Sequence, residues 1–383
     1  MSLEREDDIL LNVYRAVVKA REMENGDERV AVVEEAVRLA DTGADLKLRY
    51  FARQELLEAA FWGGSPEKSL VAFSWLLAQH DQHPELFEES WLLWTYKWIV
   101  NTVCNFPQVS KEKIYEMLDD MARRYVAAGR GLRVVEQHRY RTERFWGNRD
   151  EAVRIYRRAE RLPSDDLSNC PACEVDERVS FHVYTDDCAR GLEEARPILE
   201  GGLKCRTVPH RTLARFLVPL LRMGRREEAR EFHLRGYPLV EGDKGLLAYA
   251  CDHLVYLALA GEDEAAADTL AAHYHFAERT ADLHNRYLFH RAAWLFADIA
   301  AGASAAAGPA RPAGPRGPRL RLRMPSTFPL FDASGLYDAR RLADWFGREA
   351  TRLAARFDAR NGNDYFSRKL EETMSLKELR KAG

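Results

Sequence analysis

Small and apolar residues recur along this chain five, nine and twelve positions after a tight polar turn. From Gly147 these positions hold Ala152, Tyr156 and Ala159; from Gly224, Ala229, His233 and Gly236; from Gly261, Ala266, Leu270 and His273. Looser copies start at Asp27 (Val32, Ala36, Leu39), Gly64 (Ser69, Phe73, Leu76), Val109 (Ile114, Leu118, Met121) and Asp186 (Gly191, Ala195, Ile198). Successive anchors are 37, 45, 38, 39, 38 and 37 residues apart. Offsets of four and three residues fall on one helical stripe, so each triplet is the buried seam of a helix. The small first residue lets that helix approach the one before it, and the glycine or aspartate at the anchor makes the turn between them. A period of this length marks stacked helical hairpins. The pattern therefore predicts an all-α fold, an α–α superhelix of about seven to eight hairpins with at least about 14 helices and almost no β-strand. The turns are expected near residues 27, 64, 109, 147, 186, 224 and 261.

Two stretches carry a family resemblance. Phe145-Trp146-Gly147-Asn148-Arg149-Asp150-Glu151-Ala152 with Tyr156, Ala159 and Pro163, and Met223-Gly224-Arg225-Arg226-Glu227-Glu228-Ala229, resemble tetratricopeptide repeats. The likeness covers roughly residues 9 to 300, with a period longer than the standard of about 34 residues. It is closest in character to the longer, irregular repeat proteins of high-GC bacteria. Such a resemblance implies a scaffold that binds a peptide or protein in its groove, with the ligand-facing positions on the first helix of each unit. Carried over from the turn anchors, these fall on His138, Arg141 and Arg144 in the fourth unit, Asp176 and Glu177 in the fifth, and Arg211, Arg215 and Arg222 in the sixth.

The repeat region, residues 1–300, ends at a stretch rich in alanine, glycine, proline and arginine. Residues 301–318 cannot hold a packed core and read as a disordered linker. Beyond it, residues 319–383 read as an extended segment over Arg319 to Pro329 and then capping helices. The first of these, about Asp338 to Phe357, carries Leu342, Trp345, Phe346, Leu353 and Phe357 on its apolar stripe and is expected to complete an eighth hairpin with a helix at Arg286 to Ala300. Asn361-Gly362 fits a helix C-terminus, and Asn363-Asp364 the cap of the next helix.

Charge alters the picture locally. The 383 residues carry a net charge of −3, which argues against bulk binding to nucleic acid. Met121 to Arg161, however, holds 12 arginines against five acids, and the first 60 residues hold 14 acids against nine bases. Convergent arginines suit a carboxylate or phosphate, which the guanidinium fork binds in bidentate fashion. No helix-turn-helix, zinc-finger spacing or aromatic platform accompanies the basic stretch, and Trp91, Trp94 and Trp98 share one helical stripe expected to face the core.

Cysteine spacing supplies a second lead. Cys170-Pro171-Ala172-Cys173 has the gap of a zinc knuckle, and Cys205 and His210 are potential partners in the next unit. Cys173 lies 13 residues before Asp186 and His210 lies 14 before Gly224, which places them at nearly equivalent points of neighbouring first helices. Cys170, Cys173, Cys205 and His210 could then hold a structural zinc that staples units five and six. A redox role would call for a strand–helix context that is absent here.

No phosphate loop, nucleophile elbow, His-Glu-x-x-His or paired-carboxylate motif is present. His273, His275, His284 and His290 are the place to seek a metal if the chain were an enzyme. The N-terminus lacks the basic and apolar regions of a signal peptide, and no window reaches the length of a membrane span. The sequence thus predicts a cytoplasmic, non-enzymatic binding or scaffold protein with a protein or peptide partner. The alternative is a regulator that senses an acidic small molecule or signalling peptide. A metal-dependent enzyme on the array is a remote third reading.

Overall fold

Helix follows helix in the computed structural model of the chain, which describes residues 3–306 and 318–381. Eight pairs occur in order: α1 (Leu3–Glu22) with α2 (Asp27–Asp41), α3 (Leu46–Trp62) with α4 (Pro66–Gln82), α5 (Glu89–Thr102) with α6 (Lys111–Ala127), and α7 (Arg133–Trp146) with α8 (Arg149–Ala159). Then come α9 (Pro171–Tyr184) with α10 (Cys188–Leu199), α11 (His210–Arg222) with α12 (Arg226–Gly236), α13 (Leu247–Ala260) with α14 (Asp263–Arg279), and α15 (Leu283–Ala306) with α16 (Ala339–Asn361). The chain ends in α17 (Tyr365–Ser375) and α18 (Glu378–Lys381). The only sheet among the described residues is a two-stranded antiparallel pair, β1 (Arg319–Arg321) with β2 (Leu336–Asp338). This is the expected all-α fold of hairpins packed in sequence order.

The turns sit where the period put them, and the backbone shows why. Gly147 follows α7 in the left-handed conformation (φ 81°), which relieves the steric penalty of a Cβ at the reversal. In the α9/α10 turn Asp186 takes the same conformation (φ 65°), which aspartate tolerates better than most residues. The wide interval between the second and third anchors reflects two longer connections, at residues 83–88 and 103–110.

The seams also match, except in α2 and at His233 of α12, which is half-buried while its neighbour Phe232 is buried. Ile114, Leu118 and Met121 are fully buried, as are Ala152 and Ala159, and Ala266 and Leu270 are nearly so. In α2 the buried stripe is Val30, Val33, Ala36 and Ala40, which shifts the expected triplet by one residue. There Asp27 opens the helix, whereas the other anchors precede theirs. Trp91, Trp94 and Trp98 are half-buried at the edge of the core. The Trp91 indole donates to Glu58, Lys97 Nζ lies 3.1 Å from the Trp94 ring centroid, and Trp98 stacks on Phe61.

The chain divides into two compact units. Unit 1 comprises Met1–Ser168 with the short stretches Asp243–Gly245 and Thr280–Asp282; unit 2 comprises the remainder. Unit 1 holds the first four hairpins around Leu57, Phe73, Tyr96, Tyr125 and Trp146. Unit 2 holds the other four around Phe216, Leu254, Phe289, Phe296 and Phe346.

Within unit 2, α15 passes the expected boundary at residue 300 and runs to Ala306, and α16 packs along it. Contact is close because Gly347 lies flat on Trp294, where an added Cβ would come within 2.9 Å of the indole. The expected linker lies outside the described residues over 307–317. After α16, Gly362 terminates the helix in the left-handed conformation, as expected. Asn363 Oδ1 accepts from the N–H of Tyr365 at 3.2 Å, as the expected cap of α17, and a second capping group comes from elsewhere. Asp358, in the last turn of α16, accepts from the backbone N–H groups of Phe366 and Ser367 at 2.7 and 3.0 Å and from the Ser367 hydroxyl. The C-terminal turn then returns over α13, where Arg380 donates to the Ala258 carbonyl at 3.0 Å and pairs with Asp263 of α14 at 2.7 Å. Among the described residues no helix is long and apolar enough to cross a membrane.

Candidate functional site

The first helices of unit 2 carry a row of charged residues set into an otherwise apolar frame. On α9, Asp176 is 1% exposed, and Arg211 Nε and Arg215 Nη1 of α11 approach its carboxylate at 2.6 and 2.8 Å. Thr212 donates its hydroxyl to the same carboxylate. Burial opposes ionisation here, but the two guanidinium groups and the hydroxyl outweigh it and hold the carboxyl down at about 2. Asp176, Arg211 and Arg215 are thus brought together as one ion network.

The row continues onto α13 and α15. Asp252 of α13 feels the charges of Arg291 of α15 and Arg215 of α11. It has neither a hydrogen bond nor an ion pair among the described residues. Burial dominates and pushes its carboxyl up to about 6, against the pull of Arg291 and Arg215. Nearby donors are also underused. Arg211 Nη2 and Arg291 Nε are buried without a hydrogen-bond partner, and the Arg291 guanidinium sits 5.5 Å from the Tyr287 ring centroid.

Asp252 and Arg291 were not among the residues expected from sequence. The signal for Asp252 was present, because it lies nine residues before Gly261, as Arg215 lies nine before Gly224 and His138 nine before Gly147. Extending the same offset by one unit finds it.

The other expected positions are spread more widely. Glu177 is buried beside Asp176 on α9, and Arg222 is exposed at the end of α11. His138, Arg141 and Arg144 belong to α7 in unit 1. His138 is buried with both ring nitrogens lacking a hydrogen-bond partner; burial, then Arg141 and Lys97, hold it well below the usual histidine range. Arg141 and Arg144 both make contacts of their own. The arginine excess of this region is largely consumed by ion pairs: Arg124 with Asp81 and Asp120, Arg130 with Asp166, Arg133 with Glu160, Arg139 with Asp119, and Arg158 with Glu136.

Three of the four candidate metal ligands converge. Cys170 is the N-cap residue of α9, Pro171 fixes the first helical position, and Cys173 follows in the first turn. Cys205 lies in a tight reversal ahead of α11, where its N–H donates to the Val208 carbonyl at 3.0 Å. The sulfurs of Cys170, Cys173 and Cys205 all lie within 4.8 Å of one another, a grouping able to hold a metal ion. Cys173 and Cys205 are 3.5 Å apart, well beyond a disulfide bond of about 2.05 Å. For zinc–sulfur bonds of about 2.3 Å, a tetrahedral site needs sulfurs about 3.8 Å apart. The Cys205 thiol is held low, chiefly because it accepts from Cys173, with further help from backbone groups of Thr207 and Val208 and from Arg211.

His210 does not join this group. Counted back from their turns, Cys173 and His210 are one residue out of register, which sets the two side chains about 100° apart around the helix.

The histidines face packing tasks. His273 Nδ1 lies 2.8 Å from the Thr269 carbonyl oxygen, and His233 and His253 share a contact of 2.9 Å between their Nδ1 atoms. Comparison with known proteins finds no matching family model and no matching curated protein.

Proposed function

We propose that this chain is a cytoplasmic, tetratricopeptide-like binding or scaffold protein that holds a peptide or protein segment against the first helices of its hairpins. The observation that supports this most is Asp252, an unpaired carboxylate that feels the charges of two arginines. Beside it, Arg211 Nη2 and Arg291 Nε are buried donors without a partner; such a group costs about 1–3 kcal/mol, and a bound segment that supplies the missing acceptors removes that cost. A peptide suits the row because each amide offers one donor, for Asp252, and one acceptor, for Arg211 or Arg291. In the same reading Cys170, Cys173 and Cys205 hold a structural zinc ion at the start of α9.

A second reading has its own support. Three arginines, Arg211, Arg215 and Arg291, face two acids, Asp176 and Asp252, in the row. That surplus favours an acidic group and therefore a regulator that senses an acidic small molecule or signalling peptide. Affinity capture from the native host, at low and high salt, separates the two readings. A protein released as salt rises, and missing when Arg291→Gln is the bait, supports the scaffold. A small acidic ligand in the native mass spectrum supports the sensor. Capture that is the same with the variant and with the wild type would overturn the site.

A further inference from the structure

The three-cysteine cluster lacks a fourth ligand of its own. Its sulfurs are the only grouping of metal-binding side chains among the described residues, and His210 stands outside it. Residues 1–2, 307–317 and 382–383 contain no histidine, cysteine, aspartate or glutamate. All three cysteines are partly exposed, so a ligand from outside can reach the cluster.

Three thiolates on a divalent zinc ion leave a site of net charge −1, with a fourth tetrahedral position that water fills by default. Soft thiolate sites prefer a further soft donor.

We infer that Cys170, Cys173 and Cys205 form an open metal site whose fourth position takes a thiolate from outside this chain. The inference rests on the zinc reading above. The exchange balances: an incoming thiol gives its proton to solvent, its sulfur bonds the metal, and the bound water leaves. No electron is transferred. Such a site turns a staple into a docking point for a thiol-bearing partner.

The test uses the full chain loaded with cobalt(II) in place of zinc, with β-mercaptoethanol and imidazole as probes. Sulfur-to-cobalt charge-transfer absorption should appear at one cobalt per chain and should be lost in Cys205→Ser, with helicity retained in circular dichroism. His210→Ala should leave the spectrum unchanged. Adding β-mercaptoethanol should then strengthen the charge-transfer band saturably, at one thiol per cobalt. A spectrum indifferent to the thiol while cobalt stays bound would overturn the open position. A response to imidazole alone would overturn the preference for thiolate. Failure of the wild-type chain to bind cobalt or zinc at all would remove the metal reading itself, an outcome distinct from both.

Discussion

Asp176 and Asp252 lie two hairpins apart, on the helices before and after α11 in the row, and their surroundings push them in opposite directions. Asp176 meets two guanidinium groups and a hydroxyl and stays ionised; Asp252 meets none at hydrogen-bond range and resists ionisation. Replacing Asp176 by Asn leaves Arg211 and Arg215 without their counter-charge. Because both arginines keep some solvent contact, the cost should fall at the low end for a broken buried pair, about 3 kcal/mol in urea unfolding. Arg222→Ala, on the exposed end of the same helix, should change stability by less than about 0.5 kcal/mol.

The pH dependence follows from the same groups. The contribution of Asp176 is complete above its unfolded value near 4 and is lost as pH falls toward 2. Histidines dominate at milder acidity. Burial lowers His233 to about 4 and His253, His284 and His290 to about 3. The unfolded chain therefore takes up protons first, and stability should decline as pH drops below about 6.5. Asp252 works the other way, since its penalty is absent below about pH 4 and complete above about 6. Urea midpoints at pH 7.5, 5.5 and 4.5 should fall in that order; a midpoint that rises toward pH 5 would mean these histidines are not buried as described. The arginine row was legible in part because repeats put the same face forward at the same offset. Its ion pairing was not, since Asp176 and Arg215 are 39 residues apart and only packing decides that they touch.

At the scale of elements, turns and seams were the readable features because each is set by local chemistry. A left-handed residue ends a helix, and a small residue permits close approach. Gly147→Ala places a Cβ where the backbone has φ 81° and should cost about 1–2 kcal/mol. Ala152→Phe should overpack the fully buried α7/α8 seam and cost about 1–3 kcal/mol, read as a lower thermal midpoint without loss of helical signal at low temperature. What could not be read locally was the share of the α17 cap that Asp358 supplies beside Asn363. Asp358 reaches it from eight residues upstream, across the left-handed turn at Gly362. The missing fourth ligand has a similar origin: positions 13 and 14 residues before a turn look equivalent along the chain but lie about 100° apart around a helix.

At the scale of the whole chain, each unit holds four hairpins in sequence order, and in unit 2 the first helices carry charge inside an apolar frame. Stability and function then pull apart at Asp252, where the fold bears a cost that a partner relieves. Asp252→Asn should remove most of the charge penalty and stabilise the protein at pH 7.5 by about 1 kcal/mol, allowing for its partial exposure, with no gain at pH 4. The most direct measurement sets that variant against the wild type in two assays, urea unfolding at both pH values and capture of the partner from the native host at low salt. A polar row kept for binding predicts a variant that is more stable at neutral pH and captures less. A variant that is less stable, or that captures its partner as well as the wild type, would contradict it.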